Sequence, residues 1–155
     1  MLRLSKKADY ALMAMKHLAL RGDRGSSSAR EIAEQYDIPI ELMAKVLQRL
    51  VQRGLLASHQ GTRGGYQLSR PPRQITVADV IQAIDGPVTV TACSPDDGNC
   101  DQYAKCNVRD PLWRVRERIL KALGECTVAE LASDPPVPAP ARPATLHPHL
   151  ERAQP

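Results

Sequence analysis

The chain has 155 residues, 43% of them hydrophobic and 25% charged, which suits one modest globular domain with appendages. No apolar run approaches the roughly 20 residues needed to cross a membrane, and with 3% aromatics and no Phe the core must be Leu, Ile, Val, Ala and Met, which favours helices over a β-sandwich. Net charge is +4 but uneven: residues 1–75 carry 13 Lys/Arg against 6 Asp/Glu, and residues 76–155 carry 8 against 11, so one half is suited to a polyanion and the other is not.

The start, Met1-Leu2-Arg3-Leu4-Ser5-Lys6-Lys7, lacks the apolar stretch of a secretion signal, and a cytoplasmic protein is expected. Residues 6–21 read as a helix, with Tyr10, Leu12, Met13, Met15, Leu18, Ala19 and Leu20 as a broad apolar stripe, broken at Gly22–Ser26. Ser28 and Glu31 have capping-box spacing and open a short helix over about 29–36. Asp37-Ile38-Pro39 interrupts it, and the next helix starts at Pro39 or Ile40 and runs to about Arg53, with Gly54 as its stop. Its inner stripe is Leu42, Met43, Val46, Leu47, Leu50 and Val51; its outer face carries Glu41, Ala44, Lys45, Gln48, Arg49, Gln52 and Arg53. Two short helices split by a three-residue turn, the second with a polar and basic outer face, form a helix-turn-helix pattern.

Residues 55–58 and 66–69 read as paired strands around a Gly-rich tip, 59–65, that carries Gln60 and Arg63. A hairpin directly after the second helix is the order of a winged helix, and a narrow minor groove attracts an inserted Arg such as Arg63. Thr76 caps a helix over 77–85, and Gly86-Pro87 ends it. Asp110-Pro111 reads as a cap followed by Pro at the first helical position, opening a helix to about Leu123. Its apolar face, Leu112, Val115, Ile119, Leu120 and Leu123 with Trp113 nearby, exceeds what a small domain covers and suits pairing with a second copy. A short helix over 127–132 follows, and residues 134–155, with seven of the thirteen prolines, read as a disordered tail. The fold class is therefore mostly α with a small β-hairpin wing. Its expected units are a winged helix-turn-helix over 1–75, a cysteine loop and long dimerisation helix over 76–133, and the tail.

Three of the four cysteines, Cys93, Cys100 and Cys106, fall in a short stretch of turn formers that apolar packing cannot hold. Thiols in the cytoplasm stay reduced, so a metal–thiolate site fits better than disulfides. Three thiolates suit an iron–sulfur cluster or a zinc ion with a fourth ligand from elsewhere. The close cysteine pairs common in structural zinc sites are absent, yet zinc, a thiol switch and inert thiols remain open on spacing alone. Cys126 stands apart and reads as a small, partly buried residue.

Together these residues resemble the iron–sulfur-dependent winged-helix regulators of the IscR and NsrR kind, the Rrf-type family, and look most like the regulators of SUF-type cluster-assembly operons. The resemblance is carried by Leu4-Ser5-Lys6-Lys7-Ala8-Asp9-Tyr10-Ala11, by Gly61-Thr62-Arg63-Gly64-Gly65-Tyr66-Gln67-Leu68, by Val77–Pro87, by the three cysteines and by Leu112-Trp113. It covers about residues 1–133. It implies a homodimer, a [2Fe–2S] or [4Fe–4S] cluster on Cys93, Cys100 and Cys106, and a double-stranded operator whose affinity follows cluster status, redox state or nitric oxide. Such a protein is a transcription regulator, in the expected case a repressor, and not an enzyme. The alternatives are a winged-helix regulator using its cysteines as a zinc site or thiol switch, and a small iron–sulfur electron carrier.

The chain departs from the resemblance at two places. Where some relatives place a ligating His three residues after the last cysteine, it has Arg109, which cannot ligate. Other relatives use a carboxylate on the first helix of the partner subunit, and Asp9 occupies the matching position as candidate fourth ligand. Relatives often carry Arg where this chain has Gln60, so Arg63 is expected to take the minor-groove contact. The positions matched to base readers are Glu41, Ala44 and Lys45; Glu41 suits a cytosine amine and Lys45 a guanine. Arg49 and Arg53 are expected at phosphates or in solvent, and Ser28 is counted with the DNA-contacting residues.

Overall fold

Three helices, those opening at Lys6, Ala29 and Val77, begin where a small hydroxyl residue precedes an apolar stripe. The computed structural model describes residues 3–62, 64–90 and 100–133; Cys93, Arg63 and the 134–155 tail lie outside the described residues. The α-helices are α1 (Lys6–Arg21), α2 (Ala29–Gln35), α3 (Ile40–Gln52), α4 (Val77–Asp85), α5 (Arg109–Glu125) and α6 (Val128–Ser133), with strands β1 (Leu56–His59) and β2 (Gly65–Leu68) between α3 and α4. Ser5 Oγ accepts the Ala8 amide at 3.1 Å to start α1. Ser28 and Glu31 form a reciprocal capping box on α2, at 3.1 and 2.7 Å. Thr76 and Asp79 form another on α4, at 3.1 and 3.0 Å. Thr127 and Glu130 make the same exchange at α6. Each cap satisfies amides that the first helical turn leaves unpaired.

The turn between α2 and α3 is set by backbone geometry. Tyr36 ends α2, Asp37 takes a left-handed φ of 52°, and the Ile38 amide returns to the Ala33 carbonyl at 2.9 Å. That six-to-one bond is a Schellman closure, and it turns the chain sharply enough for Pro39 to cap α3.

The hairpin pairs Leu56 with Leu68, Ala57 with Gln67, Ser58 with Tyr66 and His59 with Gly65. Pairing starts one residue later than the sequence pattern predicts, because the Leu55 amide still bonds to Leu50 of α3, at 3.0 Å. Ser27 adds a further antiparallel bridge to Tyr66. Gly65 is required there: a Cβ would lie 2.6 Å from the Ser27 carbonyl oxygen.

Helix α1 lies at the centre of the core, in contact with α3, α4 and α6. Met15, Ile32, Met43, Leu47, Leu50, Ile75, Val80 and Val128 are buried to at least 99% in that core or at its edge. Each such side chain contributes about 1.5–3 kcal/mol of apolar transfer free energy. Helix α6 docks through two backbone bonds, Val77 amide to Cys126 carbonyl at 2.8 Å and Val128 amide to Ile75 carbonyl at 2.9 Å. The half-buried Cys126 is thus part of a backbone junction, in line with the structural role expected of it.

Helix α5 begins at Arg109, one residue before its expected cap at Asp110. The Leu112 amide bonds to the Val108 carbonyl at 3.0 Å, which makes Val108 the cap and leaves Asp110 in the first turn. Pro111 fits because its missing N–H falls among those without an intrahelical partner. The helix packs along α4 yet buries none of its residues. Among the described residues no helix is long and apolar enough to cross a membrane.

Candidate nucleic-acid interface and cysteine segment

Helix α3 divides its side chains by their burial. Met43, Val46, Leu47 and Leu50 are buried, while Glu41, Lys45, Gln48, Arg49, Gln52 and Arg53 are exposed and Ala44 is half-buried. The charged outer face is therefore free for a ligand, and the inner face fixes its orientation. Arg49 is not wholly free: its Nε donates to the Ala83 carbonyl in the last turn of α4 at 3.2 Å. The remaining guanidinium N–H groups stay available for a phosphate. Ser28 spends its hydroxyl oxygen on the α2 cap, which leaves its O–H as a donor.

A groove of about 310 Å³ separates α3 from the wing, lined by Gln48, Val51, Gln52, Ser58 and Tyr66. Sequence reasoning placed Gln48 and Gln52 on the polar face without giving them a contact, and it missed Ser58 and Tyr66. The alternation along β1 and β2 would have put Ser58 and Tyr66 on one face, but only the packing of hairpin on helix shows that the face borders α3. Gln60 is exposed at the wing tip, and the side chains of His59 and Gln67 meet across the two strands.

The carboxy-terminal end of α4 is a junction. Asp85 accepts from both the amide and the hydroxyl of Ser5, at 3.1 and 2.5 Å, so the end of α4 is tied to the start of α1. Ala83, two residues earlier, receives Arg49 from α3. The chain then leaves through Gly86-Pro87 toward the cysteine segment. This junction was not foreseen, since nothing in the local pattern of Ser5, Arg49 or Asp85 announces a partner 34 or 80 residues away.

Cys100 and Cys106 flank a 3-10 turn over Tyr103–Lys105, opened by the Tyr103 amide bonding to the Cys100 carbonyl at 2.9 Å. Both are half-buried free thiols. Arg109 stands over the turn. Its Nε donates to Asp110 at 2.9 Å, an Nη donates to the Tyr103 carbonyl at 3.3 Å, and the guanidinium lies 4.3 Å from the centre of the Tyr103 ring. The Asp110 carboxylate holds the Arg109 pKa above its ordinary value, with smaller contributions from Tyr103 and Cys106. Arg109, three residues after Cys106, is thus a cation tied to the turn that the two thiols flank.

Asp9 is exposed in the first turn of α1 and makes no side-chain hydrogen bond among the described residues. Among those residues no three His, Cys, Asp or Glu side chains converge on a metal position. The donor chemistry nevertheless fits an iron–sulfur group: two reduced, accessible thiols six residues apart, on a loop whose third cysteine, Cys93, lies outside the described residues.

Known proteins are similar to this chain in sequence and in fold. A family described as Rrf2, iron-dependent transcriptional regulator, matches residues 4–134. The chain is 35% identical over 134 residues to the HTH-type transcriptional regulator IscR of Xenorhabdus nematophila, covering 86% of this chain and 80% of the relative. Its fold is similar to that of CymR, the global cysteine regulator of B. subtilis, with a TM-score of 0.73, 28% identity, and coverage of 86% of this chain and 98% of that one. It is also similar to T. potens IscR, with a TM-score of 0.66, 28% identity, and coverage of 84% and 85%. The family match spans the helix-turn-helix, the wing, α5 and α6 without a break, and the chain belongs to the Rrf2 family of iron-dependent transcriptional regulators, DNA-binding regulators rather than enzymes.

Proposed function

We propose that the protein is a cytoplasmic, homodimeric repressor whose hold on a double-stranded operator is set by an iron–sulfur cluster on Cys93, Cys100 and Cys106. The partner subunit's Asp9 completes the ligand set. Residues 1–75 read DNA and residues 76–133 hold the sensor and the dimer helix. The cluster, [2Fe–2S] or [4Fe–4S], supplies a one-electron centre that reacts with oxidants or nitric oxide.

The observation that carries this reading is the Arg49–Ala83 bond. It joins the DNA-facing helix to the end of α4, the helix that leads into the cysteine segment. A change in that segment displaces the end of α4, and α3 moves with it. This is a two-state element biased by a local ligand. In the DNA-bound state Glu41 and Lys45 read base edges and Ala44 allows close approach. Arg49 and Ser28 meet phosphates, and Gln60 and Arg63 carry the wing into the minor groove. The unburied apolar face of α5, with Leu112 at 37% and Val115 at 43% exposure, supports pairing with a second copy.

Anaerobic purification tests the cluster. A coloured protein with bound iron and sulfide, and an operator affinity that changes when the cluster is removed, is expected. A colourless protein with bound zinc would overturn it. A second reading, a metal-free thiol switch, is favoured by the half-buried free thiols of Cys100 and Cys106; disulfide mapping after mild oxidation separates the two.

A further inference from the structure

His17 lies in the carboxy-terminal half of α1, about one turn before its end, and it touches residues that flank α2 on both sides. Its Nδ1 is 3.3 Å from the Tyr36 hydroxyl, at the carboxy-terminal cap of α2. The two rings also meet edge to face at 5.7 Å. Its Nε2 is 3.3 Å from the hydroxyl of Ser27, the residue just before the α2 cap. Ser27 is fully buried, the one buried polar residue of the described part. It is also the residue that pairs with the wing: its amide donates to the Tyr66 carbonyl at 3.0 Å, and its carbonyl accepts the Tyr66 amide at 2.8 Å. Gly65 lets the two backbones approach this closely.

One imidazole thus ties two segments to a single helix. Through Tyr36 it sets the end of α2 from which the turn enters α3. Through Ser27 it sets the strand segment on which β2 rests. A neutral imidazole has one donor and one acceptor, and two hydroxyls that can each donate or accept satisfy both. An apolar residue at position 17 would leave the Ser27 hydroxyl buried without this partner, which is costly.

We propose that His17 is a positioning residue that locks the wing to the helix-turn-helix, so that α3 and the wing tip meet DNA at one fixed separation. The proposal deepens the DNA-binding reading and rests on it for its functional consequence, though not for its structural one.

Amide hydrogen exchange on the full, DNA-free chain tests it. His17→Leu keeps an apolar side chain on α1 and removes both bonds; His17→Gln keeps a donor and an acceptor. In His17→Leu, protection at Ser27 and Tyr66 is expected to fall about tenfold, the equivalent of one net hydrogen bond, while Leu47 and Leu50 hold theirs. His17→Gln should restore most of it, and Ser27→Ala, which breaks the Nε2 contact from its other end, should reproduce the selective loss. Unchanged protection at Ser27 and Tyr66, or an equal loss at all four amides, overturns the proposal.

The functional arm uses the duplex that the wild-type protein enriches from a random-sequence pool. His17→Leu should weaken binding about tenfold, and less when made in Arg63→Ala protein, whose wing contact is already gone. An Arg63→Ala protein that binds as well as wild type refutes the wing contact instead, and the exchange result still decides the role of His17.

Discussion

Protonation of single side chains alters stability in a direction the structure sets. Burial holds the His17 pKa below its ordinary 6.5, the Arg21 charge adds to this, and Glu31 opposes it. The unfolded chain therefore takes up a proton that the native chain resists. His17 costs nothing above pH 6.5, and stability falls as pH drops from there toward the lowered native value. Urea midpoints compared at pH 7.5 and 5.5 should show this fall, and His17→Gln should flatten it. Glu31 acts lower on the scale. The Ser28 amide holds its carboxyl below the usual 4.5, with Arg21 contributing through a 3.3 Å ion pair. Its contribution is present above pH 4.5 and is lost as pH falls through the native value. At the sensor, Asp9→Ala should alter the visible spectrum of the anaerobic protein and shorten the cluster's lifetime; an unchanged spectrum and lifetime removes Asp9 from the ligand set. At the reading face, Lys45→Ala should relax preference among operator variants by about 1–3 kcal/mol at one base pair. A uniform loss across sequences would make Lys45 a phosphate contact.

At the level of elements, the helix-turn-helix is held by its caps and its turn more than by length. Helix α2 is seven residues long, too short to be stable alone. Removing the cap with Ser28→Ala should cost about 1 kcal/mol in thermal or urea unfolding. The turn carries a removable strain, since Asp37 holds a left-handed φ without being glycine. Asp37→Gly should stabilise the fold by a few tenths to about 1 kcal/mol, with Tm as the readout. Element boundaries were legible where capping chemistry is local: α1, α4 and the α2 capping box all fall where the sequence puts them. They were less legible where a neighbouring element competes for the same backbone group. The Leu55 amide serves α3 while only its carbonyl serves the hairpin, accepting from Ser69, and Val108 rather than Asp110 caps α5.

Across the whole molecule, the Arg49–Ala83 bond joins α3 to the end of α4 and the Ser5–Asp85 bond joins that end to the start of α1, and the proposed coupling of sensor to DNA is tested at the first of them. Arg49→Leu should leave the cluster spectrum intact while the ratio of holo to apo operator affinity moves toward one. A lower affinity with an unchanged ratio would make Arg49 a phosphate contact only. The exposed face of α5 predicts assembly. Val115→Glu should convert a dimer to a monomer by light scattering, because a charge placed in an apolar seam is left without a partner. An unchanged mass would put the dimer contact elsewhere.

The sequence by itself determined the elements, the winged helix-turn-helix order and the three-cysteine segment, because capping, periodicity and Gly-rich turns are written within a few residues of one another. It also placed Glu41, Ala44 and Lys45 on the outer side of α3, since helical periodicity alone separates inner from outer faces. Only the tertiary structure decided that Arg49 reaches α4, that Asp85 holds the start of α1, that Ser27 braces the wing and that His17 joins Ser27 to Tyr36. Those contacts link residues 10 to 80 positions apart. A hydrogen bond of that kind depends on where packing brings two segments, and no local propensity encodes it.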